Sequence, residues 1–300
     1  MGATVDPELT PVGPDRSAAE GARAPRRAFM RRRSAIPGFG LTLGVTLTLL
    51  SLIVLIPLSA VALKASAQSP AHFIAAAFSD RAMLAYELSF GAALIAAVIN
   101  GVFGLPTAWA MVRYEFPGKA FINGLIDLPF ALPTAVAGIA LATLYAENGL
   151  VGAQLAPFGI KVAYTQLGVV VALTFIGLPF VVRTLEPVIR DLSSDVEEAS
   201  ASLGATRFQT IGKVILPGLI PAWLTGVTLA FARAVGEYGS VIFIAGNMPY
   251  KSEIAPLLIV IQLEQYNYEG AAGIALVMLL VSFAMLFVIN GIQAWSRRFS

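Results

Sequence analysis

Arg233 and Glu237 stand four residues apart in a stretch, roughly Leu219 to Ala245, that is otherwise largely apolar. On a helix that spacing places both on one face. Charges at membrane depth are costly, and they face protein or a water-filled cavity rather than lipid. Two chemistries fit the pair. Arg233 can attract a dianion on a transport path, or the two side chains can neutralise each other and hold the helix near the interface. Ser240 and Thr174, small and polar in apolar surroundings, are candidates to line the same path.

Covalent chemistry is poorly provided for. The chain has no cysteine and one histidine, His72, so thiolate and His-rich metal sites are excluded. Binding the phosphates of ATP in a P-loop requires G-x-x-x-x-G-K-[ST]. Here Gly212-Lys213 is followed by Val214, and Arg207 stands where the first glycine belongs. The chain therefore cannot be its own ATPase. Neither paired carboxylates nor a Ser/His/Asp set appears, so no catalytic residue is assigned.

These residues sit in a chain that is 57% hydrophobic and only 13% charged. Soluble domains carry about 25% charged residues, and a soluble fold could not hide this much apolar surface, so the lipid bilayer is the expected solvent. A net charge of +2 without a basic, aromatic-laced stripe excludes a nucleic-acid partner. Six apolar runs are long enough to cross about 30 Å of hydrocarbon. They are roughly Phe39–Leu63, Leu84–Met111, Phe121–Tyr145, Gln166–Ile189, Leu219–Ala245 and Gly270–Trp295. The expected fold is all-α, with six transmembrane helices over a permease domain at 35–300. Gly40 and Gly44 form a G-x-x-x-G pair in the first run, a pattern that permits close helix packing. Residues 1–34, rich in Pro, Gly, Ala and Arg without apolar periodicity, are expected to be a disordered basic tail.

Six spans put both termini on one side. The tail arginines, Arg113, Lys119, Arg183, Arg190, Arg207, Lys213, Arg297 and Arg298 fall on that side. Only Lys64, Arg81, Lys161 and Lys251 fall opposite, so the positive-inside rule makes the termini cytoplasmic. The outside connections, about 64–83, 146–165 and 246–269, are too short for a ligand-binding domain. Capture of a dilute solute would need a separate protein.

One long cytoplasmic interruption, 194–217, breaks the membrane pattern. Ser194 with Glu197 fits a capping box. Acidic residues in the first turn suit the helix dipole. Val196, Ala199 and Leu203 share one face, and Gly204 permits a sharp turn. A second short helix with Phe208, Ile211 and Ile215 on its apolar face should then end at Pro217. An amphipathic loop lying on lipid would have this size. The acidic first turn argues against an anionic inner leaflet and for a protein docking surface.

Glu198-Ala199-Ser200, then Gly204, then Val214-Ile215-Leu216-Pro217, resembles the EAA motif of ABC importer permeases, E-A-A-x-x-x-G, nine residues, I-x-L-P. Ser200 and Val214 depart from it, while the spacing matches throughout. Leu132-Pro133-Thr134-Ala135-Val136-Ala137-Gly138 and Gly177-Leu178-Pro179-Phe180 are similar to sulfate and molybdate permeases. Gly236-Glu237-Tyr238-Gly239-Ser240 through Asn247 resembles the T-type sulfate/thiosulfate permease subunit.

The resemblance implies a type I ABC importer permease in the bacterial inner membrane, specific for sulfate or thiosulfate; molybdate or tungstate is the alternative anion. It implies a second homologous permease subunit, two ATP-binding subunits that hold the ATP and Mg, and a periplasmic sulfate-binding protein. It makes 194–217 the coupling segment, with Glu198, Ala199, Gly204 and Pro217 shaping it and Ala205, Thr206 and Phe208 meeting the ATPase. A secondary anion transporter is the rival of a different class. Such carriers often show inverted repeats, and no internal repeat is visible here.

Overall fold

The computed structural model describes residues 39–296 and Gly2; the rest of the expected tail lies outside the described residues. In chain order the helices are α1 (Phe39–Ser66), α2 (Pro70–Ala77), α3 (Asp80–Arg113), α4 (Lys119–Ala131) and α5 (Thr134–Tyr145). They continue as α6 (Gln166–Asp191), α7 (Ser194–Ser202), α8 (Arg207–Val235), α9 (Val241–Ile244), α10 (Ala255–Glu264) and α11 (Tyr268–Ser296). Among the described residues all regular structure is helical. α1, α3, α6, α8 and α11 are each long and apolar enough to cross a bilayer, and α4 with α5 passes as one further span, bent by 119°.

That bend is written in Leu132-Pro133. A residue before proline is pushed out of the helical region, and Leu132 is extended at φ −85°, ψ 137°. The run expected as one span from 121 to 145 is thus two helices joined at a sharp bend. A second correction concerns Leu219–Ala245. α8 starts at Arg207 and ends at Val235, and α9 is a separate single turn. Pro217 does not stop a short helix but lies within α8. Proline removes an N–H and crowds the carbonyl four residues back. The chain widens into a π turn at Ile211–Ile215, just ahead of Pro217, and the helix runs on. α1 has the same arrangement, a π turn at Ser51–Leu55 ahead of Pro57.

The core of residues 55–296 is a seam of three helices, α3, α6 and α8. α3 turns Ala92, Ala93, Ala96, Ala97, Gly101, Gly104 and Ala108 inward. Small residues at helical spacing let backbones approach closely, which is how membrane helices gain packing without a hydrophobic driving force between them. A Cβ on Gly104 would sit 2.7 Å from Val181 Cγ1 of α6. Trp223 of α8 fits beside Gly101 and donates its indole N–H to the Gly101 carbonyl at 2.8 Å.

The short connection expected at 246–269 holds a packed helix. α10 buries Ala255, Leu257 and Leu258. At ten residues it is too short to span, so a length criterion passes over it. Glu253, just before it, is buried and takes both arms of Arg81 at 2.7 Å each. Ser89 of α3 accepts from the Ala255 amide at 2.8 Å. These bonds fix α10 to the start of α3.

Candidate functional site

The polar segment between α6 and α8 is built from caps. α7 starts one residue before the expected place: Ser193 is the N-cap, and its hydroxyl accepts from the Asp195 amide at 3.1 Å. Ser194 is therefore the first residue of α7 and not the N-cap that a capping box with Glu197 requires. The segment's capping box lies at the next helix start, where the Thr206 hydroxyl accepts from the Gln209 amide and Gln209 Oε1 accepts from the Thr206 amide. Asp195 and Glu197 remain in the first turn of α7, where the dipole favours them.

Gly204 makes the turn as its type requires, at φ +80°. Its amide donates to Ala201 O at 2.9 Å, and the Ala205 amide reaches back to Ser200 O at 3.1 Å. This pair of bonds is the Schellman closure of a helix C-terminus. Ser200, the departure from the family pattern, is buried and has a use. Its hydroxyl donates to Glu197 O at 2.9 Å and lies 2.8 Å from the Thr210 hydroxyl, clasping α7 to the start of α8.

What the segment does not bury is as informative. Leu203 and Phe208 are each 88% exposed, and Val196, Ala199 and Ile211 are exposed too. Glu198 and Thr206 are exposed, Ala205 is partly covered, and Pro217 is exposed just after the π turn of α8. Glu198, Ala199, Gly204, Ala205, Thr206 and Phe208 thus lie together on one polar-edged outcrop with an apolar crest. A large apolar side chain left open this way marks a partner surface or lipid contact.

The sequence treated Arg113 only as a topological charge. Its guanidinium lies 5.3 Å from the Trp109 ring centroid. Nη2 donates to Leu192 O at 3.0 Å and lies 3.0 Å from Glu197 Oε1. A cleft of about 550 Å³ opens beside it, lined by Trp109, Tyr114, Glu198, Arg207 and Ile211 among others. The end of a long span with an arginine, followed by an acidic helix start, was the available signal.

The charges in the apolar stretch are brought together. Arg233 Nη1 and Glu237 Oε2 lie 2.5 Å apart. Glu237 is buried past the end of α8, and its other oxygen accepts from the Ser240 amide at 3.0 Å and hydroxyl at 3.1 Å. Both carboxylate oxygens are occupied, and Glu237 caps the turn that begins α9. The ion-pair reading fits this geometry. Thr174, on α6, is not joined to them by any bond among the described residues, and its hydroxyl is buried without a partner there.

The two helix breaks meet. A Cβ on Gly239 would lie 2.2 Å from Thr134 Oγ1, and one on Gly138 would lie 2.3 Å from Ser240 O. Only glycine allows the start of α5 to rest on the backbone of 239–240.

Residues 100–299 match the family described as binding-protein-dependent transport system inner membrane component. Over 273 residues the chain is 48% identical to a probable sulfate transport system permease protein cysT of Nephroselmis olivacea, covering 91% of this chain and 95% of that one. It is 48% identical over 262 residues to the sulfate transport system permease protein CysT of Salmonella typhimurium, covering 87% and 95%. The fold resembles a chain in the crystal structure of a bacterial ABC transporter involved in import of the acidic polysaccharide alginate, with a TM-score of 0.71 and 14% identity. That likeness covers 87% of this chain and 95% of the other.

Proposed function

Because this chain belongs to the binding-protein-dependent transport inner-membrane component family, a family of multi-pass membrane proteins, we propose that it is a sulfate or thiosulfate permease subunit of an ATP-driven importer. The reading is carried by the 48% identity to sulfate transport permease proteins across nearly the full length of both chains. The termini are cytoplasmic, so 194–217 faces the cytosol. Its crest, with Phe208, Ala205 and Thr206, docks on an ATP-binding subunit that holds ATP and Mg, while Glu198, Ala199, Gly204 and Pro217 set its shape. A second permease subunit completes the path, and a periplasmic sulfate-binding protein delivers the anion.

The mechanism divides the labour. ATP supplies energy on the partner. This chain's part is to convert movement of a docked outcrop into a change at the helix seam, and the outcrop's bonds suit it to move as one piece. At the other level, Arg233 is neutralised by Glu237, so it positions the break between α8 and α9 and does not act as a free anion site. Ser240 and Thr174 keep their candidacy as small polar path residues.

The test is sulfate uptake by a strain deleted for its own sulfate permease. Complementation by this chain should restore uptake, and Gly204→Asp should not, because aspartate at φ +80° strains the turn that aims the crest. Full rescue by the variant would count against the docking role, and no rescue by the parent chain would count against the anion.

A further inference from the structure

α7 is poorly anchored by backbone packing. Among the described residues it packs most closely on the start of α8 and the π turn, both parts of the same segment. Among the described residues one ion pair links 194–217 to the rest of the chain, Arg113 with Glu197. Arg113 ends α3. The same Nη2 that meets Glu197 also holds the Leu192 carbonyl, one residue past the end of α6. One guanidinium therefore ties the ends of two seam helices to the first turn of α7.

We infer that Arg113 is the positioning residue through which movement of the docked segment reaches α3 and α6. This rests on the docking role proposed above for 194–217. Three features support the assignment. The guanidinium lies over Trp109, 5.3 Å from its ring centroid, which limits the directions the side chain can take. Arg113 and Glu197 are both partly covered, with side-chain exposures of 24% and 35%, which screens the pair less than open water would. Trp109 and Met111 pack in the cluster that holds Val181, Leu185, Ile189 and Ile215, so displacement of Arg113 displaces that cluster.

Lysine is a poorer fit here. Both contacts run through Nη2, and a planar guanidinium resting over Trp109 fixes where that nitrogen points, whereas an ammonium on a flexible stem lacks that hold. The pair should also behave as a unit. Once either partner is gone, loss of the other should change little.

The experiment uses the chain assembled with its ATP-binding subunits, second permease and binding protein in proteoliposomes. Anion transported per ATP hydrolysed is measured for the parent chain, Arg113→Gln, Glu197→Gln and the double variant. The expected result is a fall of about fivefold or more in that ratio for Arg113→Gln, with hydrolysis retained. Glu197→Gln should fall comparably and the double variant no further. An unchanged ratio, or two effects that multiply, overturns the inference. A second measurement is independent of partners. In detergent, amide hydrogen exchange across 196–202 should quicken in Arg113→Gln while α3 keeps its protection; unchanged exchange overturns the tie. Failure of the parent chain to assemble with an ATP-binding subunit would instead overturn the docking role.

Discussion

The seam of α3, α6 and α8 and the outcrop at 194–217 solve opposite problems. In the seam, small residues of α3 let the helices come close, and an added methyl group at Gly101 or Gly104 would lie under 3 Å from a side chain of the next helix. In the outcrop, local caps hold the backbone and the large apolar side chains are left outside. The seam's order comes from long-range fit, and the outcrop's comes from residues a few positions apart. A seam built by fit fails when a methyl group is added. An outcrop built by caps survives loss of any crest residue and fails only in what it touches.

The largest effect on folding should come where two helix breaks meet. In Gly138→Val the first added carbon alone would lie 2.3 Å from Ser240 O and 2.8 Å from its Cα, both backbone atoms. Overpacking typically costs about 1–3 kcal/mol and occasionally more, and here the clash is with backbone, so thermal melting in detergent should fall sharply or the chain should fail to accumulate. Gly104→Ala is the sharper comparison. Its clash is with the Val181 side chain, so Gly104→Ala/Val181→Ala should melt above Gly104→Ala alone. Absence of that rescue would mean that the α3–α6 contact adjusts by backbone movement.

Arg233→Gln comes next. It leaves Glu237 buried with one oxygen unpaired. Breaking a buried pair costs about 3–5 kcal/mol, reduced here because Arg233 is 36% exposed. Arg233→Gln/Glu237→Gln should recover part of the loss in a melting experiment. If the double variant melts well but anion uptake stays low, Arg233 has a transport role beyond the pair; normal uptake removes it from the mechanism.

Ser200→Ala restores the family's alanine and deletes the hydroxyl clasp to Thr210. A hydrogen bond of this kind is worth about 1 kcal/mol. The expected result is quicker amide exchange at the α7–α8 turn, with little change in the global melt.

Much of the outcrop was legible because its determinants are local. Gly204 had to supply the turn, and Glu198-Ala199-Ser200 stood at the right distance from it. The cap was misplaced by one residue because Ser193 and Ser194 are chemically equivalent, and only φ/ψ chooses between them. Pro217 was read as a stop because proline usually ends helices; the π turn that absorbs it leaves no mark in composition. The break at Val235 was hidden because the runs flanking Gly236-Glu237-Tyr238-Gly239 are apolar, and α10 was hidden by being apolar but short. Arg113 was legible only as a charge, because its meaning depends on Leu192 and Glu197, about eighty residues away in sequence. The seam's small residues were visible, yet which glycine meets which helix is a property of packing alone.

The smallest expected effect on folding separates the two regions most clearly. Phe208 is 88% exposed and makes no aromatic contact among the described residues. Phe208→Ser removes an apolar ring that this chain does not use, so the melt should shift by no more than about 0.5 kcal/mol in equivalent stability. On the docking proposed above, the same ring would be buried against the ATP-binding subunit, where burial of a phenyl side chain is worth about 2–3 kcal/mol. A tenfold change corresponds to about 1.4 kcal/mol, so affinity for the ATP-binding subunit should drop by more than tenfold and sulfate uptake should drop with it. Pull-down of the ATP-binding subunit, run beside a melting curve of the isolated chain, reads both. A chain that melts normally but loses its partner is what a crest held outside the fold requires. A chain that melts early would mean that Phe208 packs inward and that the crest lies elsewhere.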